Sequence, residues 1–407
     1  MTRKAVLFFL FWGLVLQALA VEEKPLSIEE AVSVALQHNP EVIGAQQALE
    51  EAKGLRLQAE ARPEPRLSMS TEGVPFSLKS SELTEVNLGL EQPIEFPGKR
   101  PLRAKIGGLD QDIASLELDR VRISVTARVK KAYWKAVLAD RTVSSLETLT
   151  DLLETIIESS RIRYQAGTAA YGDVLRARVE KARLQNETIQ ARQEREAVMA
   201  ELVLLLGVPT EGPFILASDL SFLPFDRTLE EVKEAVRAAS PSLRIAGLRS
   251  EQAEAAAALA GKNRLPDFAV GVFFPSLRFN AWGVSFGLSL PVSRSRTEGE
   301  RLAATARLAA RSAAAGANSR RLDSELETAY AAVRAAADQV RLFERELLTE
   351  MEEELRSGLT QYQYGKLEAY ALLDLYRTYS AAKLERLKAL YLYQTGLASL
   401  EAAGGVD

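Results

Sequence analysis

The 407-residue chain has no cysteine and a single histidine, which excludes disulfides, thiolate zinc sites, a nucleophilic thiol and any multi-histidine metal centre. Its 51 basic and 55 acidic side chains leave a formal charge of −4, without the basic surplus of a nucleic-acid binder. Sixty alanines favour long, closely packed helices, and the composition as a whole, with no thiol and one histidine, points away from an enzyme.

Arg3 and Lys4, an apolar run from Ala5 to Leu16, and the small residues Ala18 and Ala20 form a secretory signal peptide over 1–20, cleaved near Ala20. Its loss takes the charge from −4 to −6. No later stretch of about 18 apolar residues follows, so no transmembrane helix is predicted. Ser27 with Glu30 is a capping box opening one helix over 28–61, stopped by Pro63 and Pro65. A hairpin is predicted over about 66–94. A second helix, from about Pro101 to Gly167, would be roughly 100 Å long at 1.5 Å per residue. A third covers 173–206, and a linker rich in Pro and Gly occupies 210–227. The pattern then recurs as helix 229–262, hairpin 267–292, and helices 298–362 and 369–400.

The chain is thus written twice, as repeats over 21–209 and 228–407. Asn39-Pro40 is echoed by Ser240-Pro241, and Pro65-Arg66-Leu67 by Pro266-Asp267-Phe268. Leu88 to Ile94 is echoed by Phe286 to Val292, and Tyr164 to Gly167 by Tyr362 to Gly365, at offsets of 201, 201, 198 and 198. The long helices carry heptads: Leu118, Val125, Ala132, Ala139, Leu146 and Leu153 in one row, with Val129, Ala136, Val143 and Ile157 beside it. Leu322, Ala329, Ala336 and Phe343 pair with Leu326, Val333, Val340 and Leu347 in the second repeat. Such rows predict left-handed coiled-coil packing.

The hairpins alternate. Leu67 and Met69 stand between Arg66, Ser68, Ser70 and Glu72; Val86, Leu88 and Leu90 between Glu85, Asn87, Gly89 and Glu91. Phe268, Val270, Val272 and Phe274, and Trp282, Val284, Phe286, Leu288 and Leu290, alternate with mostly small or polar residues. One apolar face over nine or ten residues suits a tilted membrane strand. The apolar set would then face lipid, with Trp282 in an interfacial belt, and Arg66, Glu72, Glu85 and Glu91 would face a water-filled lumen. Four strands cannot close a barrel, and lipid tolerates no open sheet edge, so two or more copies must share one. A soluble exported coiled-coil scaffold with an ordinary sheet is the alternative reading.

Asn39-Pro40, the stretch from Gln92 to Arg100, Leu290-Pro291-Val292 with Gly299, and Tyr164-x-x-Gly167 with Asp173-Val174-Leu175 together resemble the TolC-type outer-membrane efflux proteins. The resemblance covers essentially all of the mature chain. It implies a mainly α fold with transmembrane β: a duplicated helix–hairpin–helix–helix unit that, as a homotrimer, shares a twelve-stranded β-barrel and a twelve-helix coiled-coil α-barrel. It also implies a passive duct with no cofactor, in the outer membrane of a Gram-negative-type bacterium and reaching into the periplasm. The duct would be docked to a periplasmic adaptor and an inner-membrane pump, RND type. The Pro97–Arg100 turn is most similar to the branch paired with heavy-metal cation pumps; drug or protein export is the alternative within the family.

By the same resemblance, Gly167-Thr168 and Gly365-Lys366 are adaptor-docking tips, and Asp173, Asp374, Glu368 and Tyr370 form or brace a periplasmic gate. Ala371 replaces one acidic position of the family's double ring. Three copies of Asp374 near an axis would favour cations, as would the −18 of three mature chains if enough of it faces the lumen. With no cysteine, the chain lacks the lipid-bearing N-terminal residue of some relatives. A single histidine and no thiol mean that any exported metal is passed on and not captured. His38 reads as a helix C-terminus and Trp134 as helix packing.

Overall fold

A computed structural model describes residues 25–72, 85–208, 214–275, 279, 281–344 and 347–404. The signal peptide and the hairpin tips around 73–84 and 276–280 therefore lie largely outside the described residues. In chain order the elements are β1 (Pro25–Leu26), α1 (Ile28–His38), α2 (Pro40–Glu60), β2 (Arg66–Glu72), β3 (Glu85–Ile94), α3 (Lys99–Gln165) and α4 (Tyr171–Leu206). There follow β4 (Ile215–Leu216), α5 (Leu229–Ala239), α6 (Pro241–Lys262), β5 (Asp267–Phe274), β6 (Gly283–Ser289), α7 (Arg294–Glu344), α8 (Leu347–Gln363) and α9 (Ala369–Gly404).

Two expected helices are each divided. The helix over 28–61 stops at His38 and restarts at Pro40, and that over 229–262 breaks between Ala239 and Pro241. Proline lacks the N–H that would continue the ladder and pushes its predecessor out of helical geometry. Asn39 (φ −64°, ψ 127°) and Ser240 (φ −59°, ψ 114°) show that displacement. Each short helix opens with a complete capping box, Ser27 with Glu30 and Thr228 with Glu231.

By packing, the chain falls into two units. The first takes 25–40, 125–226 and 329–400. Here β1 and β4 pair in parallel. The segment expected to be only a linker thus supplies β4 and docking points. The Tyr133 hydroxyl donates to Leu26 O at 2.7 Å and accepts from Ser218 N at 3.1 Å, while Tyr393 donates to Leu223 O. Trp134 is buried with its ring edge-on to Tyr133. The break after α1 rests on the end of α4: Asn39 Nδ2 donates to Leu205 O at 2.9 Å, and Gly207 closes α4 at φ +73°. The heptad residues Val125, Val129, Ala132, Ala136, Ala139, Val143, Leu146, Leu153, Val333, Ala336 and Val340 are all buried.

The second unit takes 41–124, 227–328 and 401–404. It holds an antiparallel sheet of order β2-β3-β5-β6. At the base of the sheet, Asp267 Oδ1 accepts from Phe96 N and from Lys99 Nζ, both at 2.8 Å, and Lys99 Nζ also donates to Leu265 O. Gly98 makes that turn at φ +92°, where a Cβ would lie 2.8 Å from Lys262 Nζ. The sequence motif Pro97-Gly98-Lys99 is therefore the clamp between strand and helix.

Candidate channel sites

In the sheet, the pleat sorts the residues by face, and the register aligns the faces across strands. Leu67 pairs with Leu90, Leu90 with Val272 and Val272 with Val284. Leu88 pairs with Phe274, Ile94 with Phe268, Phe268 with Leu288, and Val270 with Phe286. The apolar residues singled out from the sequence thus share one face, along with Val86 opposite Thr71. Most are open to solvent in the isolated chain, with Leu67 73% exposed and Phe286 82%, while Val86, Leu88 and Phe274 are half-buried. Trp282 and Leu290 lie just beyond the ends of β6 and are also exposed.

The other face pairs Arg66 with Glu91 and Glu72 with Glu85, and between these runs a band of small residues: Ser68, Gly89, Gly271, Ser285 and Gly287. Phe273 is the exception. Its ring lies over Gly283, where a Cβ would come within 2.4 Å of Phe273 Cζ. Among the described residues, β2 and β6 each pair on one side only, so the sheet has two open edges.

The second site lies in the first unit, where the ends of α3 and α8 turn into α4 and α9. The two turns are built alike. Gly167 N donates to Tyr164 O and Thr168 N to Arg163 O; Gly365 N donates to Tyr362 O and Lys366 N to Gln361 O. Both glycines are left-handed, at φ +72° and +77°, which completes a glycine C-cap at each tip. Arg163, which sequence reasoning missed, ties the turns together. Its Nη1 donates to Tyr362 O at 2.8 Å, its Nη2 to Thr168 O at 3.0 Å, and its guanidinium covers the Tyr362 ring. The buried Tyr362 hydroxyl bonds Ser160 Oγ at 3.1 Å.

Beneath the tips, Leu146, Leu149, Leu153, Ile156, Ala177, Leu184, Leu355, Leu372, Leu373 and Tyr376 pack into one core. Burial pushes the Tyr376 hydroxyl up to about 12, and it donates to Leu149 O. Of the expected gate residues, Asp374, Glu368 and Tyr370 are exposed, while Asp173 is half-buried beside Arg176 at 3.5 Å. None of the four is bonded to another by its side chain. Charged pairs do join helices here: Lys181 with Glu154 and Arg192 with Glu147 link α4 to α3, and Arg377 of α9 with Glu180 of α4 links the two repeats. The signal of this last pair in the sequence was a carboxylate at position 180, on the row of Val174, Ala177, Leu184 and Thr188, all of which are buried. The hydrogen bond that Arg377 donates to Glu180 raises the Arg377 pKa above its ordinary value.

A family model described as outer membrane efflux protein matches residues 31–208 and again 233–406. The cobalt-zinc-cadmium resistance protein CzcC of Cupriavidus metallidurans is 24% identical over 248 residues, 61% of this chain and 58% of that protein. The chain thus aligns with under two thirds of this curated relative's length. The solved structure of CusC superposes with a TM-score of 0.79 at 19% identity, covering 93% of this chain and 92% of that one. The outer membrane protein VceC of Vibrio cholerae does so at 0.76 and 18% identity, covering 92% and 95%. These two likenesses concern the fold; the family model covers most of the chain. The protein belongs to the outer membrane efflux protein family.

Proposed function

We propose that the chain is the outer-membrane exit duct of a tripartite efflux pump. The observation that carries this reading is the four-stranded sheet with one mainly apolar face, broken only by Thr71 and Gln92, one small and polar face, and two open edges among the described residues. The ten residues of β3 extend about 33 Å and, tilted by about 40°, match an apolar band of about 25 Å. Three copies pool their strands into a twelve-stranded barrel, pairing β2 of one copy with β6 of the next, and pool their long helices into a twelve-helix α-barrel. The apolar face, from Leu67 to Leu288, meets lipid; Arg66, Glu72, Glu85 and Glu91 meet water. The signal peptide delivers the chain for export and is removed near Ala20, leaving the repeats 21–209 and 228–407.

Gly167-Thr168 and Gly365-Lys366 present two similar tips to a periplasmic adaptor, which links the duct to an inner-membrane pump of RND type. Asp173, Asp374, Glu368 and Tyr370 line or brace the aperture. Opening moves α8 and α9 away from α3 and α4, which breaks the Arg377–Glu180 pair and the bonds of Tyr362 and Tyr376. Heavy-metal cations are the proposed cargo, supported by the likeness to CzcC.

The test is purification from the outer-membrane fraction followed by planar-bilayer recording. A heat-sensitive trimer that conducts ions is expected; a soluble monomer without conductance overturns the duct. Deleting the gene should lower tolerance to cobalt, zinc or cadmium, and unchanged tolerance rejects the metal cargo.

A further inference from the structure

The four connections between sheet and helices are basic. Segments 61–65, 95–103, 261–266 and 290–300 carry eight basic residues against four acidic ones. Local pairing removes some of this charge: Arg103 binds Glu95, Arg296 binds Glu300, and Lys99 binds Asp267. What remains is the half-buried Lys262, against the Gly98 turn, and one exposed arginine at each connection. Arg62 follows α2, Arg100 and Arg294 stand in the first turns of α3 and α7, and Arg264 follows α6. None of these four guanidinium groups has a hydrogen-bond or ion-pair partner among the described residues, and only Glu64 and Glu298 are unpaired acids nearby.

Helix stability does not account for the whole set. A helix N-terminus favours acids, and α1 and α5 begin with Glu29-Glu30 and Glu230-Glu231. The first turns of α3 and α7 contain no acid and carry Lys99, Arg100, Arg294 and Arg296. The apolar sheet face runs down to these connections. Phe268 stacks on Phe96, and Leu290 and the 83% exposed Val292 lead directly to Arg294.

We infer that Arg62, Arg100, Arg264 and Arg294 form a basic collar that binds the phosphate headgroups of anionic phospholipid at the helix-side surface of the membrane. An apolar face bordered by unpaired guanidinium groups matches a lipid leaflet, acyl chains against the sheet and phosphate against the rim. The inference rests on the proposed membrane placement of the sheet. It adds a lipid class and the residues that recognise it.

The test uses the full chain in uncharged detergent, with phosphatidylglycerol and its phosphate-free counterpart diacylglycerol as probes. Bound lipid is read by native mass spectrometry and by thermal unfolding. The native protein should retain phosphatidylglycerol and not diacylglycerol. The variant R62Q/R100Q/R264Q/R294Q should bind phosphatidylglycerol at least about tenfold more weakly, since one basic residue at an anionic surface contributes about fivefold. Should the fourfold variant fail to fold, R62Q and R294Q singly, each expected to weaken binding about fivefold, decide the matter. Undiminished binding by a folded variant, or equal retention of diacylglycerol, overturns the collar. So does a variant that loses its oligomer in lipid-free detergent, which would assign these arginines to contacts between copies. Flotation with phosphatidylethanolamine vesicles separates the two readings. A native chain that does not float defeats the membrane placement itself, whereas flotation of both proteins with unchanged phosphatidylglycerol binding defeats only the collar.

Discussion

Arg377 on α9 donates to Glu180 Oε2 on α4 through Nε at 3.1 Å and Nη2 at 2.6 Å. The carboxylate is nearly buried and the guanidinium half exposed, so the pair is asymmetric: removing the arginine strands a charge, while removing the carboxylate leaves a solvated one. Arg377→Ala should therefore destabilise the first unit by about 2 kcal/mol, and Glu180→Gln by less. If the pair restrains α9, both substitutions should also raise the open-channel fraction in planar bilayers. Stability loss with unchanged gating would confine the pair to packing.

Gly167 and Gly207 have nearly the same φ, +72° and +73°, yet different surroundings. An added Cβ meets nothing within 4 Å at Gly167, but at Gly207 it would lie 2.5 Å from His38 O. Gly167→Ala should cost about 1 kcal/mol, the strain of left-handed backbone alone. Gly207→Ala should cost about 3 kcal/mol, because the α1–α2 break must also move off the end of α4. Denaturant unfolding of the two variants checks the order, and equal losses would show that the contact yields.

Face-specific substitution tests the sheet. Phe286→Arg places a charge on the apolar face and should cost about 2–4 kcal/mol if that face meets lipid, lowering the heat-sensitive oligomer in outer-membrane fractions. Ser70→Arg, on the opposite face, should leave assembly intact and alter single-channel conductance. Equal tolerance of both substitutions would contradict the assignment of faces.

Titration should destabilise the protein at both extremes of pH. Hydrogen bonding from Arg237 holds Asp323 below its ordinary 3.8, and the backbone of Thr228 holds Glu231 below 4.5. A depressed carboxyl contributes stability that is complete above its unfolded value and lost as pH falls through the folded one. Melting temperature should therefore decline below about pH 4, and less steeply in Asp323→Asn. Tyr376 has the opposite sign. Raised to about 12 by burial, it favours the folded state below pH 10, and that contribution is lost as pH rises from 10 towards 12. Tyr376→Phe should remove this alkaline limb, which circular dichroism against pH would detect.

The Arg163 staple predicts a coupled tip. Arg163→Ala removes the bonds to Tyr362 O and Thr168 O together, so hydrogen exchange should accelerate in both turns, 164–168 and 362–366. Acceleration confined to the first turn would show that the tips are independent.

The sequence by itself determined the periodicities, because each is local. Heptads over 118–157 and 322–347 specify long helices with one buried side, alternation over 67–90 and 268–290 specifies two-faced strands, and the glycines before α4 and α9 specify left-handed turns. The duplication was legible for the same reason: Tyr164 to Gly167 and Tyr362 to Gly365 repeat a local motif at a fixed offset. The breaks at Pro40 and Pro241 were equally local and were missed only because the helical pattern continued across them. Tertiary structure decided what depends on residues distant in the chain. The strand register joins Leu90 to Val272, Asp267 clamps Lys99, Arg163 reaches Tyr362, and Glu180 on a buried row finds its cation 197 positions away. A charge on an apolar row has no partner that spacing alone can name, since ion pairing is set by distance in space and not along the chain.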